Sequence, residues 1–463
     1  MENPRFMDDN TRQSVLFKEL VDKPVIARFD QPQASSDGGA ILLKACDQKL
    51  RLTERLTVCL VEKRQDAKIR HTLEELIRQR LYGIACGYED ANDASRLSND
   101  PIQKLLVGRD AVSGLALASQ PTLSRFENSV GRQEAYRLGQ VLAETVIERH
   151  RRRLGKKVRR ITVDLDPTDD PTHGSQQLSF FNGHYDTWCY LPVAGFISFN
   201  QEVEQYLFTY MLRPGNAPAT LGAQGLLRRL FERLRQAFPR ARLRVRLDGG
   251  FASGELFDFL EDQGVEYVVA MAKNAVLQGL AEPLMMQARI LAKTSNQTEH
   301  VYGECVYQAG KWTQPRRVII KAEQVRHPGR DPKDNPRFVV TNLKSAPKKL
   351  YERIYCARGE IENRIKELHH GLQIDRTSCT RFWANQLRVL LTAAAYVLLQ
   401  ELRWRARNTS CARAQVGTLR ERLFKLGVWI ESSVRRFVLH LPLTSPYAAE
   451  WRQIAHALGA ESG

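Results

Sequence analysis

The chain has no cysteine pair at metal-binding spacing. Its eight cysteines, Cys46, Cys59, Cys86, Cys189, Cys305, Cys356, Cys379 and Cys411, are scattered over 463 residues. That excludes zinc-ribbon and C-x-x-C redox chemistry and predicts reduced cytosolic thiols. Nor is there an apolar run near the roughly 20 residues that cross a bilayer; the longest, residues 389–399, reads as a buried helix. The opening MENPRFMDDN carries acids and no apolar core, so neither a secretory leader nor membrane attachment is expected. H-E-x-x-H, Walker A and G-x-S-x-G patterns are missing, and with them the anchor for a zinc protease, an ATPase or an α/β-hydrolase. No internal repeat or low-complexity block is present. Acid is short against base: 52 Asp and Glu face 69 Lys and Arg, a formal charge of +17. Such an excess favours a polyanionic partner, nucleic acid first, because each phosphate contact releases condensed counterions.

What is there reads as a multidomain globular protein. At about 150 residues per domain the length gives roughly three units, and 43% hydrophobic with 26% charged residues suffices for a core. Residues 1–155 show helical periodicity, apart from a Ser35-Ser36-Asp37-Gly38-Gly39 turn. Leu73, Leu76, Ile77, Leu81 and Ile84 share one face before a Gly87 stop, and residues 132–153 form a long helix ending in cations. Strands at 158–165, 190–198 and 206–212, a helix at 219–238, a strand at 243–247, a helix at 253–263 and a strand at 265–271 predict a mixed α/β domain. Residues 276–349 hold strand-like VIIKA and FVVTNL around RHPGRDPKDNPR and predict an inserted β-rich subdomain. Helices resume near Leu350 and continue to Arg407. The tail offers a helix at 418–426, the strand VRRFVLHL and a helix after Pro446. The predicted units are 1–155, 156–275, 276–349, 350–407 and 408–463.

Several residues can carry chemistry. Asp164 and Asp166 lie two apart on a strand, hence on one face, where a pair can chelate a divalent cation. The plainer alternative gives one carboxylate to chemistry and the other to a structural hydrogen bond. Asp248 ends the strand LRVRL before Gly249-Gly250, where α/β domains build sites, although a capping aspartate fits equally well. At about 100° per residue, Tyr355, Arg358, Glu362, Lys366 and His369 form one helix stripe. A carboxylate among cations and an aromatic suits a metal ligand beside phosphate contacts, against the ordinary alternative of a solvated, ion-paired face. His173 and His184 read as polar loop residues, and Trp312 as a core residue rather than a base-stacking one. The acid-free run 149–160, with Arg151, Arg152 and Arg153, is expected along DNA backbone.

Tyr355-x-x-Arg358-x-x-x-Glu362 resembles the signature of the large DDE transposase superfamily of bacterial insertion sequences. Asp164-x-Asp166-x-Thr168 with His173-Gly174-x-Gln176, Arg246-x-Asp248-Gly-Gly-Phe251 and Arg358-Gly-x-x-Glu362-x-x-Ile365-Lys366-Glu367 are similar to its group 1 branch. Gly87-Tyr-Glu-Asp-Ala-Asn-Asp, Pro121-Thr-Leu-Ser-Arg-Phe-Glu and Ala384-Asn-Gln-Leu-Arg extend the likeness over nearly the whole chain. The resemblance implies an RNase H-like core, an α/β fold with an inserted β-rich subdomain, preceded by a helical N-terminal DNA-binding region. It implies catalytic, metal-binding carboxylates Asp166, Asp248 and Glu362, with Asp164 as the runner-up for the first, holding Mg²⁺ or Mn²⁺ for DNA cleavage and strand transfer. Tyr355 and Arg358 would position a 5′ phosphate. The family pattern has Lys seven residues past the Glu, where this chain has His369, and Lys366 is expected to supply that cation. Double-stranded DNA, as terminal inverted repeats and target, a homo-oligomer on DNA and a bacterial cytoplasmic, nucleoid-associated location follow. A catalytically inactive DNA-binding regulator of the same fold is the alternative. A glycosyltransferase D-x-D site leaves the basic excess unexplained.

Overall fold

The computed structural model describes residues 14–461, so the leader expectation at MENPRFMDDN lies outside the described residues. Thr72 opens helix α1 (Leu73–Cys86) with a reciprocal cap: its hydroxyl accepts from Glu75 N at 3.2 Å, and Glu75 Oε2 accepts from Thr72 N at 2.8 Å. Gly87, at φ 95°, ends it. The long helix α2 (Arg132–Leu154) follows. The run RITVDLDP then forms β1 (Arg160–Pro167), with Ile161, Val163 and Leu165 buried on one face and Thr162, Asp164 and Asp166 on the other.

β2 (Val193–Phe199) and β3 (Tyr206–Met211) continue as an antiparallel meander. Helix α3 (Ala223–Ala237) crosses over to β4 (Arg242–Leu247), parallel to β1, and α4 (Gly254–Asp262) leads to β5 (Glu266–Met271), parallel to β4. The predicted stretch 276–349 begins with α5 (Ala275–Ser295) and supplies β6 (Glu299–Tyr307), β7 (Arg316–Val325) and β8 (Arg337–Thr341). Those strands add to β5 and lengthen the same sheet, giving the order β6-β7-β8-β5-β4-β1-β2-β3. The helices expected between Leu350 and Arg407 include α6 (Glu360–Leu372) and α7 (Phe382–Arg405), parted by an irregular stretch that Gln373 opens at φ 48°.

α7 explains how the sheet ends. It is long and apolar enough to cross a membrane by composition, but 94% of its most apolar window is buried inside the protein. β3 is an edge strand, and α7 satisfies its outward backbone. Gln386 Oε1 accepts from Leu212 N at 2.8 Å and Gln400 Oε1 from Leu207 N at 3.1 Å. Gln386 belongs to the Ala384-Asn-Gln-Leu-Arg motif, so one of that motif's residues works as an edge cover.

The C-terminal residues fold back onto the N-terminal region. Strand Val428–Ser432 pairs with Ala34–Ser35, and Lys425 Nζ meets the buried Asp37 at 2.7 Å. A Cβ on Gly39 would sit 1.6 Å from Leu423 O, so this close approach of two backbones requires glycine. The strand expected in VRRFVLHL spans Phe437–His440, and the last helix Ala448–Ala457.

Candidate active site

The two aspartates of β1 have opposite surroundings. β4 is registered so that Arg246 faces Asp164, and its guanidinium donates to both carboxylate oxygens at 2.7 Å. Gln205 Nε2 adds a third bond at 2.9 Å. Asp164 is fully buried, its carboxylate taken up by its neighbours in the sheet. Asp166, on the same face at the carboxyl end of β1, lies beyond that pair and receives Arg358 Nη2 at 2.5 Å.

Asp248 follows the end of β4 and caps the turn Gly249–Phe251, its Oδ1 accepting from Gly250 N at 3.1 Å. Glu362 comes from the first turn of α6, 60% exposed, with Oε1 3.9 Å from Arg358 Nη1. A constant 100° step does not describe this segment. A wide π-helical turn, Leu350–Tyr355, passes into a tight 3₁₀ turn, Cys356–Gly359, before α6 begins. Tyr355 and Arg358 therefore do not share one α-helical repeat with Glu362, Lys366 and His369, although Arg358 still comes within 3.9 Å of Glu362. Tyr355 lies half-buried against Tyr351, ring centres 5.6 Å apart, while Arg358 turns inward to Asp166.

The charges converge. Burial pushes the Asp166 carboxyl up to about 7, Asp248 and Glu362 push the same way, and Arg358 opposes them. Burial also raises Asp248, against the pull of Arg358, two backbone N–H groups and Arg213. Three carboxylates thus press on one guanidinium, an excess of negative charge that a cation or a proton would relieve. No three such side chains among the described residues are close enough to share an ion; Asp166 and Glu362 both approach Arg358 instead.

Other predicted residues fall around this centre. Lys366 is exposed on α6. His369 does not face open solvent. Its Nε2 is 3.4 Å from Thr168 Oγ1 and its Nδ1 3.1 Å from Asp375 Oδ2. Burial works against the Asp375 charge, but the hydrogen bond and charge of His369 hold it below the usual carboxylate range. Arg151 and Arg152 are exposed, whereas Arg153 grips Glu202 at 2.6 and 2.7 Å. Arg149 turns inward as well, stacked 4.1 Å over Trp404. His173 and His184 are exposed, and Trp312 is buried between Phe257 and Tyr307.

With this arrangement in view, the family comparison is decisive. The family model described as transposase DDE domain group 1 matches residues 17–462. The chain belongs to that family. No curated protein matches it. Membership carries a general transposase function, with nuclease-type enzymatic activity and DNA binding.

Two residues of this transposase-family chain escaped the motifs. Buried Arg213 holds the carbonyls of Leu191, Pro218, Ala219 and Leu221 at 2.8–3.3 Å. Ala219 in turn packs so tightly on the Asp248 turn that a Cβ on Gly250 would lie 3.0 Å from its own. Tyr185 sits on a hairpin that leaves the same end of β1, its hydroxyl pushed up to about 12 by burial and then by Asp169, Asp166 and Asp248. A buried arginine in Leu-Arg-Pro-Gly and a loop tyrosine carry no periodic signal, so sequence alone could not single them out.

Proposed function

We propose that the protein is an insertion-sequence transposase that binds the ends of its element and catalyses metal-dependent DNA cleavage and strand transfer. β1 to β5, in the order β3-β2-β1-β4-β5, form an RNase H-like core. The observation that supports the reading is Arg358 set between Asp166, at 2.5 Å, and Glu362, at 3.9 Å, with Asp248 at the neighbouring strand end adding its charge to that of Asp166.

Asp166, Asp248 and Glu362 would hold Mg²⁺, or Mn²⁺ in its place; an all-oxygen donor set suits a hard divalent cation. A cation bound there would supply Lewis-acid activation of the attacking oxygen and charge stabilisation at the leaving one. Arg358 offers a planar fork for a phosphate and Tyr355 a hydroxyl beside it. Lys366, Arg151 and Arg152 are exposed cations for the DNA backbone, and His369 ties the Thr168 end of β1 to α6. Terminal inverted repeats and target DNA are the substrates, handled by a homo-oligomer in the bacterial cytoplasm.

A catalytically inactive DNA-binding regulator is the second reading, favoured by Arg358 standing between Asp166 and Glu362. Incubating the protein with Mg²⁺ and duplexes carrying the ends of its own element separates the two. Strand cleavage at the element boundary supports the transposase, specific binding without cleavage supports the regulator, and neither outcome refutes both.

A further inference from the structure

The first described residues form a hairpin that stands out from the rest of the described chain. Val15–Phe17 pairs antiparallel with Val25–Ala27, and every residue from 14 to 32 is exposed. The hairpin is nonetheless rich in large apolar side chains. Leu16, Phe17, Leu20, Val21 and Ile26 are 46–65% exposed, and Phe29 is 87% exposed. An isolated two-stranded hairpin is marginal in water, and a contiguous apolar surface on one marks a binding face.

Its root is fixed. Gln33 O accepts from Ile430 N at 2.9 Å, and Ala34–Ser35 pairs with one side of strand Val428–Ser432. On the other side of that strand lies Phe437–His440, which has no further neighbour among the described strands. Its outer edge is therefore open, with Val434 fully exposed and Leu443 88% exposed nearby.

We infer that the hairpin arm of one copy docks on the open Phe437–His440 edge of a second copy, which returns its own arm in exchange. Three arguments select a second copy as the occupant. Every copy carries both an arm rooted on the small sheet and that sheet's open edge, so a reciprocal exchange is isologous and closes at two. An unpaired edge is a template for strand addition. Half-exposed side chains of this size offer on the order of 80 Å² each, so two arms and two receiving edges bury on the order of 1,500 Å², the size of a stable specific interface. The inference does not rest on the DNA-cleavage reading, and its test contains no DNA.

The test uses the full-length chain. Sedimentation at micromolar concentration should show a dimer, and the double variant Phe17→Asp, Ile26→Asp should sediment as a monomer with unchanged circular dichroism. For contact, two preparations are made in a Cys356→Ser background, because Cys356 is an exposed free thiol. One carries Leu16→Cys and the other Val438→Cys; a second pair, Phe17→Cys with Leu439→Cys, covers the opposite strand faces. Mixing and oxidising either pair should give a disulfide-linked dimer joining the two preparations. A monomeric wild type, a dimer that survives the arm substitutions, or no cross-link in either mixture would overturn the exchange.

Discussion

Replacing Asp166 with asparagine should alter how stability responds to pH. The native carboxyl sits at about 7, raised first by burial and then by Asp248 and Glu362, against an ordinary 3.8. Between those values the folded chain holds a proton that the unfolded chain has released, so wild-type stability falls as pH rises through that window. For a side chain only 12% exposed the shift needs little discount for solvent. Between pH 5 and pH 8 the ionisation costs wild type roughly 3 kcal/mol, taking about 1.4 kcal/mol per pKa unit. Asparagine has no such ionisation. At about 2.1 cal/mol/K per residue, unfolding this chain carries close to 1 kcal/mol per degree, so wild type should lose about 3 °C more than Asp166→Asn over that range. Scanning calorimetry at pH 5 and pH 8 measures it. Adding Mg²⁺ at pH 8 should raise the wild-type melting temperature and leave the variant nearly unchanged, because the cation relieves a repulsion the variant lacks. Parallel pH curves for the two proteins, or equal responses to Mg²⁺, would refute this electrostatic account.

Asp164→Asn should destabilise the fold by about 3–5 kcal/mol, seen as a lower unfolding midpoint, because it leaves the Arg246 charge buried without its partner. Asp248→Ala should abolish Mg²⁺-dependent cleavage of element-end DNA while duplex affinity in a gel-shift titration is kept; wild-type cleavage rates would remove Asp248 from the site. Arg151→Ala with Arg152→Ala should weaken binding to any duplex and flatten the salt dependence by about one unit of slope per lost phosphate contact, whereas Arg153→Ala should act on thermal stability through Glu202. Lys366→Ala should slow cleavage more than His369→Ala at neutral pH, because Lys366 is exposed on α6 while His369 is tied to Thr168 and Asp375; the reverse order would give the cationic role to His369.

The expected strands and long helices were legible because each buries a periodic apolar face. β1, β4 and β5 begin within two residues of their expected starts, and α1, α2 and α4 follow their caps and stops. The errors lie where the backbone leaves regular geometry. The stripe from Tyr355 to His369 assumed one α-helix, but a π turn and a 3₁₀ turn precede Glu360, and periodicity holds no information about them. The stretch 276–349, expected as an inserted β-rich subdomain, supplies strands that extend the same sheet. Backbone pairing of β8 with β5 is indifferent to composition.

The choice between Asp164 and Asp166 shows where the limit falls. Both sit on the same face of one strand, and local pattern treats them alike. What separates them is a register: β4 places Arg246 opposite Asp164 and not opposite Asp166, so one carboxylate is neutralised inside the sheet. The other projects past the last pair of the β1 and β4 ladder, toward the turn that carries Asp248 and the helix that carries Glu362. Arg246 and Asp248 are likewise two apart on their strand, so the parallel register that silences Asp164 also brings Asp166 alongside Asp248. The two D-containing motifs, about eighty residues apart, thus work as one device. Each supplies a residue to a buried salt bridge that fixes the register and a carboxylate two positions on that the register delivers to the site.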